Sequence, residues 1–151
     1  MKPSVLFLCT GNSCRSQMAE GWGRALHGAR LEVASAGLEA RGLDPRAVAV
    51  MAEAGVDISG QGSKTLDDLG PAVFDLVVTV CGHAAETCPV LPGATRRLHA
   101  GFDDPPRLAA AAATEAEALA HYRRVRDEIR AFVTGLPAHL PGDGPAAAPA
   151  G

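Results

Sequence analysis

The sequence predicts an α/β fold in which four parallel strands form one sheet with helices on both faces, a three-layer sandwich. Two observations support this prediction. Short apolar runs, typical of strands that are buried on both faces, alternate with longer segments whose apolar residues recur at helical spacing. Strands that alternate with helices form parallel sheets, and ligands of such sheets bind at the carboxyl ends of the strands.

The predicted elements follow one another in a regular order. Apolar runs predict strands at residues 4–8, 31–36, 74–80 and 95–99. Helical spacing predicts helices at residues 16–27, 45–54 and 115–134. After Gly135 the chain is rich in proline, alanine and glycine and has little to bury. We therefore expect a single domain over residues 1–135 and a flexible tail over residues 136–151.

Composition limits the possible functions. The 151 residues carry a formal net charge of -3, so no global attraction to nucleic acid or to an anionic membrane is expected. No apolar stretch is long enough to cross a membrane, and the first residues lack a secretory signal pattern. We therefore expect a cytoplasmic protein whose 4 cysteines are reduced, catalytic or metal-binding rather than paired in structural disulfides.

The most informative motif directly follows the first predicted strand. The segment Cys9-Thr10-Gly11-Asn12-Ser13-Cys14-Arg15-Ser16 forms the turn between this strand and the first predicted helix. Such a turn can point successive backbone N–H groups inward, and the helix N-terminus adds partial positive charge, so a tetrahedral oxyanion can bind there. Arg15 supplies a planar pair of donors for two of its oxygens. The predicted anion-binding residues are Thr10, Gly11, Asn12, Ser13, Cys14 and Arg15.

Cys9 is the predicted nucleophile of this loop. The positive field that holds an anion also favours the thiolate, which is the reactive form of cysteine. Ser16 lies where its hydroxyl can donate to the Cys9 sulfur, and Gly11 and Asn12 tolerate the positive φ of a tight loop. The alternative is a buried cysteine at a strand end beside a surface arginine, which is the usual place of either residue alone.

Two further cysteines form a second candidate group. Cys81 follows a predicted strand, as Cys9 does, and a short polar and alanine-rich segment separates it from Cys88. If that segment is helical, its ends lie about 10 Å apart, so a disulfide, which needs Cα atoms within about 7 Å, must unwind it. The spacing does not match common zinc ligands, so no metal is expected. The alternative is two incidental buried cysteines.

Asp103 and Asp104 precede two prolines and form the third candidate group. One of these carboxyls can act as a general acid that protonates a leaving oxygen. The alternative is a solvated turn or a cap for a helix that follows. The residue types alone leave both interpretations open.

Together, these motifs resemble the thioredoxin-coupled arsenate reductases, which share the low-molecular-weight tyrosine phosphatase fold. The resemblance covers residues 4–134. It is carried by Cys9 to Glu20, Ser35-Ala36-Gly37, the strand that ends at Cys81, Cys88-Pro89, and Gly101 to Pro105.

The resemblance implies a reaction that detoxifies arsenic. Cys9 attacks arsenate, and Asp104 protonates the departing oxygen. Cys81 then attacks Cys9 and releases arsenite, after which Cys88 attacks Cys81 and leaves a Cys81–Cys88 disulfide. Thioredoxin reduces that disulfide, so no tightly bound cofactor is expected. Arsenate and thioredoxin are the expected partners, with no nucleic acid and no membrane, and the expected state is a monomer.

Some members of the resembled family also bind potassium beside the loop. They use equivalents of Asn12, Glu20 and Ser35 together with an aspartate. Lys64 stands in the place of that aspartate in this chain. We therefore expect little stimulation by potassium.

Two other functions fit part of the pattern. A low-molecular-weight tyrosine phosphatase uses the loop and the acid and leaves Cys81 and Cys88 without a role. Those phosphatases often carry a tyrosine pair after Asp-Pro, where this chain has Pro106-Arg107. Weak phosphatase activity is expected as a by-product of the shared loop. The second alternative is a redox protein that senses oxyanions or arsenic, binds trivalent arsenic and turns over slowly.

Overall fold

The computed structural model describes residues 2–69, 73–81 and 96–140 of the chain. Four strands form one sheet in the order β2-β1-β3-β4, and each neighbouring pair is parallel. The strands are β1 (Ser4–Cys9), β2 (Glu32–Gly37), β3 (Leu76–Thr79) and β4 (Arg96–His99). The predicted parallel sheet is thus confirmed, and each strand begins and ends close to its expected position.

Both faces of the central strand are covered. Successive residues of a strand point to opposite faces of the sheet, and all residues from Val5 to Cys9 are buried. The described helices are α1 (Arg15–His27), α2 (Pro45–Glu53), α3 (Leu66–Leu69), α4 (Pro105–Ala110) and α5 (Glu115–Thr134). The three-layer prediction is confirmed, whereas α3 and α4 are too short for helical spacing to reveal them. No helix within these ranges is long and apolar enough to cross a membrane.

Helix α5 ties the two ends of the domain together. Thr114 caps its N-terminus by accepting the Glu117 N–H at 3.1 Å. Its buried side chains recur every three or four residues, which places them on one face against the core. The indole N–H of Trp22 in α1 donates to the Arg126 carbonyl at 3.1 Å, so α1 and α5 are joined by a polar bond as well as by packing.

The packed domain extends beyond the predicted boundary. Leu136–His139 form a 3₁₀ helix, and Leu136 and Leu140 are buried. The ring of His139 stacks on that of Phe132, with centroids 5.9 Å apart. This segment therefore belongs to the domain rather than to the expected tail, because its leucines complete the core. The remainder of the expected tail lies outside the described residues.

The topology places two cysteines at the same edge of the sheet. Cys9 ends β1, and Cys81 lies just beyond β3, which is the neighbour of β1. The Val80 N–H donates to the Leu8 carbonyl at 2.9 Å, so pairing between the two chain segments continues almost to the cysteines. The carboxyl end of a parallel sheet is where a ligand site is expected.

Candidate active site

The segment from Cys9 to Arg15, called the anion loop below, opens into a cavity of about 740 Å³. Cys81 lines the same cavity, as do Phe102, Asp103, Asp104, Pro106 and Arg107. Glu39 and Arg41 line the cavity as well. The structure therefore gathers the loop, the second cysteine and the acidic pair around one space, as the motifs predict.

Hydrogen bonds on the outside of the anion loop orient its peptide groups. Successive carbonyls from Cys9 to Ser13 all accept hydrogen bonds at 2.9 to 3.2 Å. The backbone N–H groups of Leu38, Glu39 and Arg41 donate to the carbonyls of Cys9, Thr10 and Gly11, respectively. The Gln17 side-chain amide donates to the Asn12 carbonyl, and the Asp44 N–H donates to the Ser13 carbonyl. In a trans peptide the C=O and the following N–H point in opposite directions. The N–H groups of Thr10 to Cys14 therefore point to the inside of the loop, where they can bind an oxyanion.

Asn12 holds the bend of the loop. Its φ of 48° is left-handed, as the sequence predicts for this position. Its buried side-chain NH₂ donates to Ser16 Oγ at 2.9 Å and to Ser35 Oγ at 3.0 Å. Its side-chain oxygen accepts the Lys64 backbone N–H at 2.8 Å. Four polar neighbours, counting Gln17, thus fix a conformation that most residues avoid.

Gly11 and Ser16 serve in ways that the sequence did not indicate. Gly11 has no positive φ; a Cβ at this position would instead lie 2.7 Å from Cδ of Arg41, so glycine makes room for that side chain. Ser16 Oγ accepts from Asn12, and no described hydrogen bond joins it to the Cys9 sulfur. The predicted contact from Ser16 to Cys9 is therefore replaced by one that supports the loop bend.

Arg15 lines the cavity and carries a buried N–H donor without a partner among the described residues. Its Nη1 donates to the Phe102 carbonyl at 3.0 Å, and its Nη2 lies 3.6 Å from Asp104 Oδ1. Its Nε is buried and has no hydrogen-bond partner. A buried donor without an acceptor is costly, and an oxyanion in the anion loop would supply one.

Cys9 and Cys81 are two buried thiols that line the same cavity. Each residue is 4% exposed, and Thr10 Oγ1 lies 3.1 Å from the Cys81 sulfur. The hydrogen bond with Cys81 and burial raise the pKa of the Cys9 thiol, and the lowering effects of Arg15 and the Thr10 N–H do not offset them. This differs from the expected thiolate at Cys9, because the sequence shows no second sulfur beside it.

Cys14 lines the cavity but is held as a neutral thiol. Burial raises its pKa well above the usual value, and the Asp44 carboxylate raises it further. Its backbone N–H belongs to the inward-pointing set of the loop. Cys14 therefore fits a role in anion binding through its backbone rather than through its sulfur.

The two aspartates of the acidic pair have different surroundings. The Asp103 carboxylate pairs with Arg124 at 3.0 Å. Asp104 lies at the N-cap position of α4, yet its side chain makes no capping hydrogen bond. It faces Arg15 instead and is 39% exposed at the side chain. Asp104 is thus the member of the pair that faces the arginine of the anion loop, whereas Asp103 pairs with α5.

A buried carboxylate lies behind the anion loop. Ser35 Oγ donates to Glu20 Oε1 at 2.5 Å, and Arg24 forms an ion pair with the same carboxylate. Lys64 Nζ lies 3.5 Å from Glu20 Oε1 and donates to the Gly62 carbonyl at 3.0 Å. An ammonium group therefore lies beside the residues that the resemblance assigns to a potassium site. No cluster of three or more His, Cys, Asp or Glu side chains suited to a metal occurs in the described part of the chain.

The sequence does not predict the residues that donate hydrogen bonds to the outside of the anion loop. Residues 38–44, called the strap below, have no periodicity that would mark them. Gly42, with a φ of 91°, indicates a turn in the strap but not its contacts. Cys88, the third predicted redox residue, lies outside the described residues.

Comparison with known proteins agrees with this site. Residues 4–145 match the family described as low molecular weight phosphotyrosine protein phosphatase. The chain belongs to this family, which confirms the fold that the motifs indicate.

Similar proteins include several arsenate reductases. The arsenate reductase of Halalkalibacterium halodurans is 56% identical over 128 residues, which cover 85% of this chain and 90% of the relative. A solved arsenate reductase in the phosphate binding state is 34% identical with a TM-score of 0.77, and the match covers 93% of this chain and 99% of that one. The thioredoxin-dependent arsenate reductase of Corynebacterium glutamicum is 30% identical with a TM-score of 0.64, covering 89% of this chain and 59% of that one.

Proposed function

We propose that this protein reduces arsenate to arsenite for arsenic detoxification, with Cys9 as the nucleophile and thioredoxin as the external reductant. The observation that carries the proposal is the placement of two buried cysteines, Cys9 and Cys81, in one cavity with an oxyanion loop. A phosphatase needs one thiol at this place. A reductase needs a second thiol within reach of the first, because two sulfurs together supply the two electrons that arsenic accepts.

The first step is nucleophilic attack on arsenate. The inward N–H groups of the anion loop and the free Nε of Arg15 bind the oxygens and stabilise the charge that develops on them. The Cys9 thiol gives its proton to an oxygen of the bound arsenate, its sulfur forms a bond to arsenic, and one As–O bond to a hydroxyl group breaks. Asp104 gives its proton to the departing oxygen, which leaves as water.

The second step reduces arsenic. The Cys81 thiolate attacks the Cys9 sulfur, so a Cys9–Cys81 bond forms and the sulfur–arsenic bond breaks. The electron pair of that bond stays on arsenic, which leaves as arsenite. The shared cavity supports this step, because Cys81 follows the strand that pairs with the strand of Cys9, so attacking and attacked residues lie at the same edge of the sheet.

The third step returns Cys9 to its thiolate. Cys88 attacks Cys81, expels the Cys9 thiolate and leaves a Cys81–Cys88 disulfide, which a dithiol of thioredoxin then reduces. This step rests on the resemblance and on the thioredoxin-dependent relative, since Cys88 lies outside the described residues. The proposal includes a monomer in the cytoplasm, without nucleic acid, membrane or tightly bound cofactor, and no potassium requirement because of Lys64.

Replacing the relay cysteines tests this sequence of steps. Cys81→Ser and Cys88→Ser should each form at most one equivalent of product per protein, and Cys9→Ser should form none. Cys14→Ser is the matched control, because its buried neutral thiol has no place in the relay. Steady turnover in either Cys81→Ser or Cys88→Ser would exclude the relay. Phosphatase activity that needs only Cys9 would then be the remaining function of the loop.

A further inference from the structure

Arg41 lies on the anion loop itself. Its backbone N–H donates to the Gly11 carbonyl at 2.9 Å. Its side chain then runs across Gly11, where Cδ, Cγ and Cβ would lie 2.7, 3.1 and 3.3 Å from any added Cβ. The next residue, Gly42, adopts a φ of 91° and donates its N–H to Ser63 Oγ at 3.1 Å, so the turn that directs Arg41 is fixed.

The guanidinium of Arg41 has an exchangeable partner. Its Nη2 lies 2.5 Å from Glu39 Oε2, and both side chains are 58% exposed. An exposed ion pair contributes little to stability, because water and salt screen it. An oxyanion in the neighbouring loop can therefore compete with Glu39 for this guanidinium, and bidentate pairing with such an anion is favourable.

The other arginines of the cavity have different partners. Arg15 has a free Nε for an oxyanion, while its Nη1 donates to the Phe102 carbonyl and its Nη2 lies near Asp104. Arg107 lines the cavity from α4, and no hydrogen bond or ion pair within the described residues joins it to the anion loop. Arg41 differs from both, since its stem rests on the loop and its head pairs with a side chain of the same strap.

We propose that Arg41 binds the substrate oxyanion and that Glu39 competes with the oxyanion for the Arg41 guanidinium. This inference rests on the proposed function only in naming arsenate as the oxyanion. It predicts opposite effects for the two members of one ion pair. Arg41→Ala removes a donor and weakens anion binding, whereas Glu39→Gln releases Arg41 and strengthens it.

Calorimetric titration of the reduced full-length protein with inorganic phosphate, an oxyanion that does not oxidise thiols, measures this directly. We expect about fivefold weaker binding for Arg41→Ala and about twofold tighter binding for Glu39→Gln at low salt. Both differences should shrink at high ionic strength, because the Debye length falls from about 10 Å at 0.1 M salt to about 3 Å at 1 M. In steady-state kinetics, the KM for arsenate should rise in Arg41→Ala and fall in Glu39→Gln.

The exposed pair between Arg123 and Glu53, at 2.8 Å and outside the cavity, supplies matched controls. Arg123→Ala and Glu53→Gln should leave phosphate binding unchanged. Equal phosphate affinity in wild type and Arg41→Ala, or weaker binding in Glu39→Gln, would overturn the role of Arg41. Binding of phosphate with no formation of arsenite would overturn the proposed function and leave the role of Arg41 standing. Absence of phosphate binding in the wild type would overturn both.

Discussion

Removal of the Lys64 ammonium tests the buried charge behind the anion loop. Lys64 Nζ lies 3.5 Å from a Glu20 carboxylate that is 2% exposed. At this distance and an effective dielectric constant of about 20, opposite unit charges attract by about 5 kcal/mol before desolvation is counted. Arg24 and Ser35 still hold the carboxylate in the variant. We therefore expect Lys64→Ala to lower the free energy of unfolding by about 2 kcal/mol.

Urea denaturation in potassium chloride and in choline chloride at equal ionic strength separates two effects. The space left by the ammonium in Lys64→Ala is bordered by Glu20 and by the Gly62 carbonyl, both of which suit a monovalent cation. Potassium should therefore restore part of the lost stability in the variant and leave the wild type unchanged. Lys2→Ala, which removes a surface bond from an ammonium to the Gly28 carbonyl, is the matched control. If potassium raised the unfolding free energy of the wild type as much as that of Lys64→Ala, the Lys64 ammonium would not occupy the place of a cation.

Three further predictions concern the supports of the loop. Gly37→Ala should lower the free energy of unfolding by about 3 kcal/mol, because the new Cβ would lie 2.4 Å from a backbone oxygen of the strap and 2.7 Å from one of the loop. An unchanged midpoint of urea unfolding would disprove this crowding. Tyr122→Phe removes a 2.6 Å hydrogen bond to Asp44, whose N–H donates to the Ser13 carbonyl of the loop. The variant should lose about 1.5 kcal/mol of unfolding free energy and bind phosphate more weakly. Loss of stability with normal phosphate binding would limit Tyr122 to a structural role. The pKa of Cys14 is raised in the folded protein, so above pH about 8.5 this thiol ionises in the unfolded chain before it ionises in the folded one. The free energy of unfolding should therefore be unaffected by Cys14 below that pH and fall above it by about 1.4 kcal/mol per pH unit. Cys14→Ala should flatten that alkaline slope, and identical slopes would show that Cys14 ionises equally in both states.

The sequence predicted those parts of the fold that depend on local pattern. Apolar runs located the strands, and helical spacing located α1, α2 and α5. The spacing of Cys9 and Arg15 after a strand located the anion loop. Each of these signals lies within one segment of the chain, where residue types alone determine the outcome.

What the sequence did not predict depends on contacts between distant segments. The strap has no pattern of its own, yet its N–H groups orient the loop. The pKa of Cys9 follows from Cys81, which becomes its neighbour only through the pairing of β1 with β3. Leu136 and Leu140 lie in a proline-rich segment without an apolar pattern, so their burial in the core can be seen only in the folded structure. Tertiary structure decides these cases.

Cys9 and Cys81 are proposed to pass electrons together from thioredoxin to arsenate. Arsenate-dependent oxidation of NADPH by the purified protein, thioredoxin and thioredoxin reductase measures this electron transfer, beside a parallel assay with glutathione and glutaredoxin. We expect sustained oxidation with thioredoxin and none after Cys81→Ser. Activity with glutaredoxin alone would keep arsenate as substrate and replace the partner. Absence of oxidation in both assays would contradict the claim and leave a phosphatase.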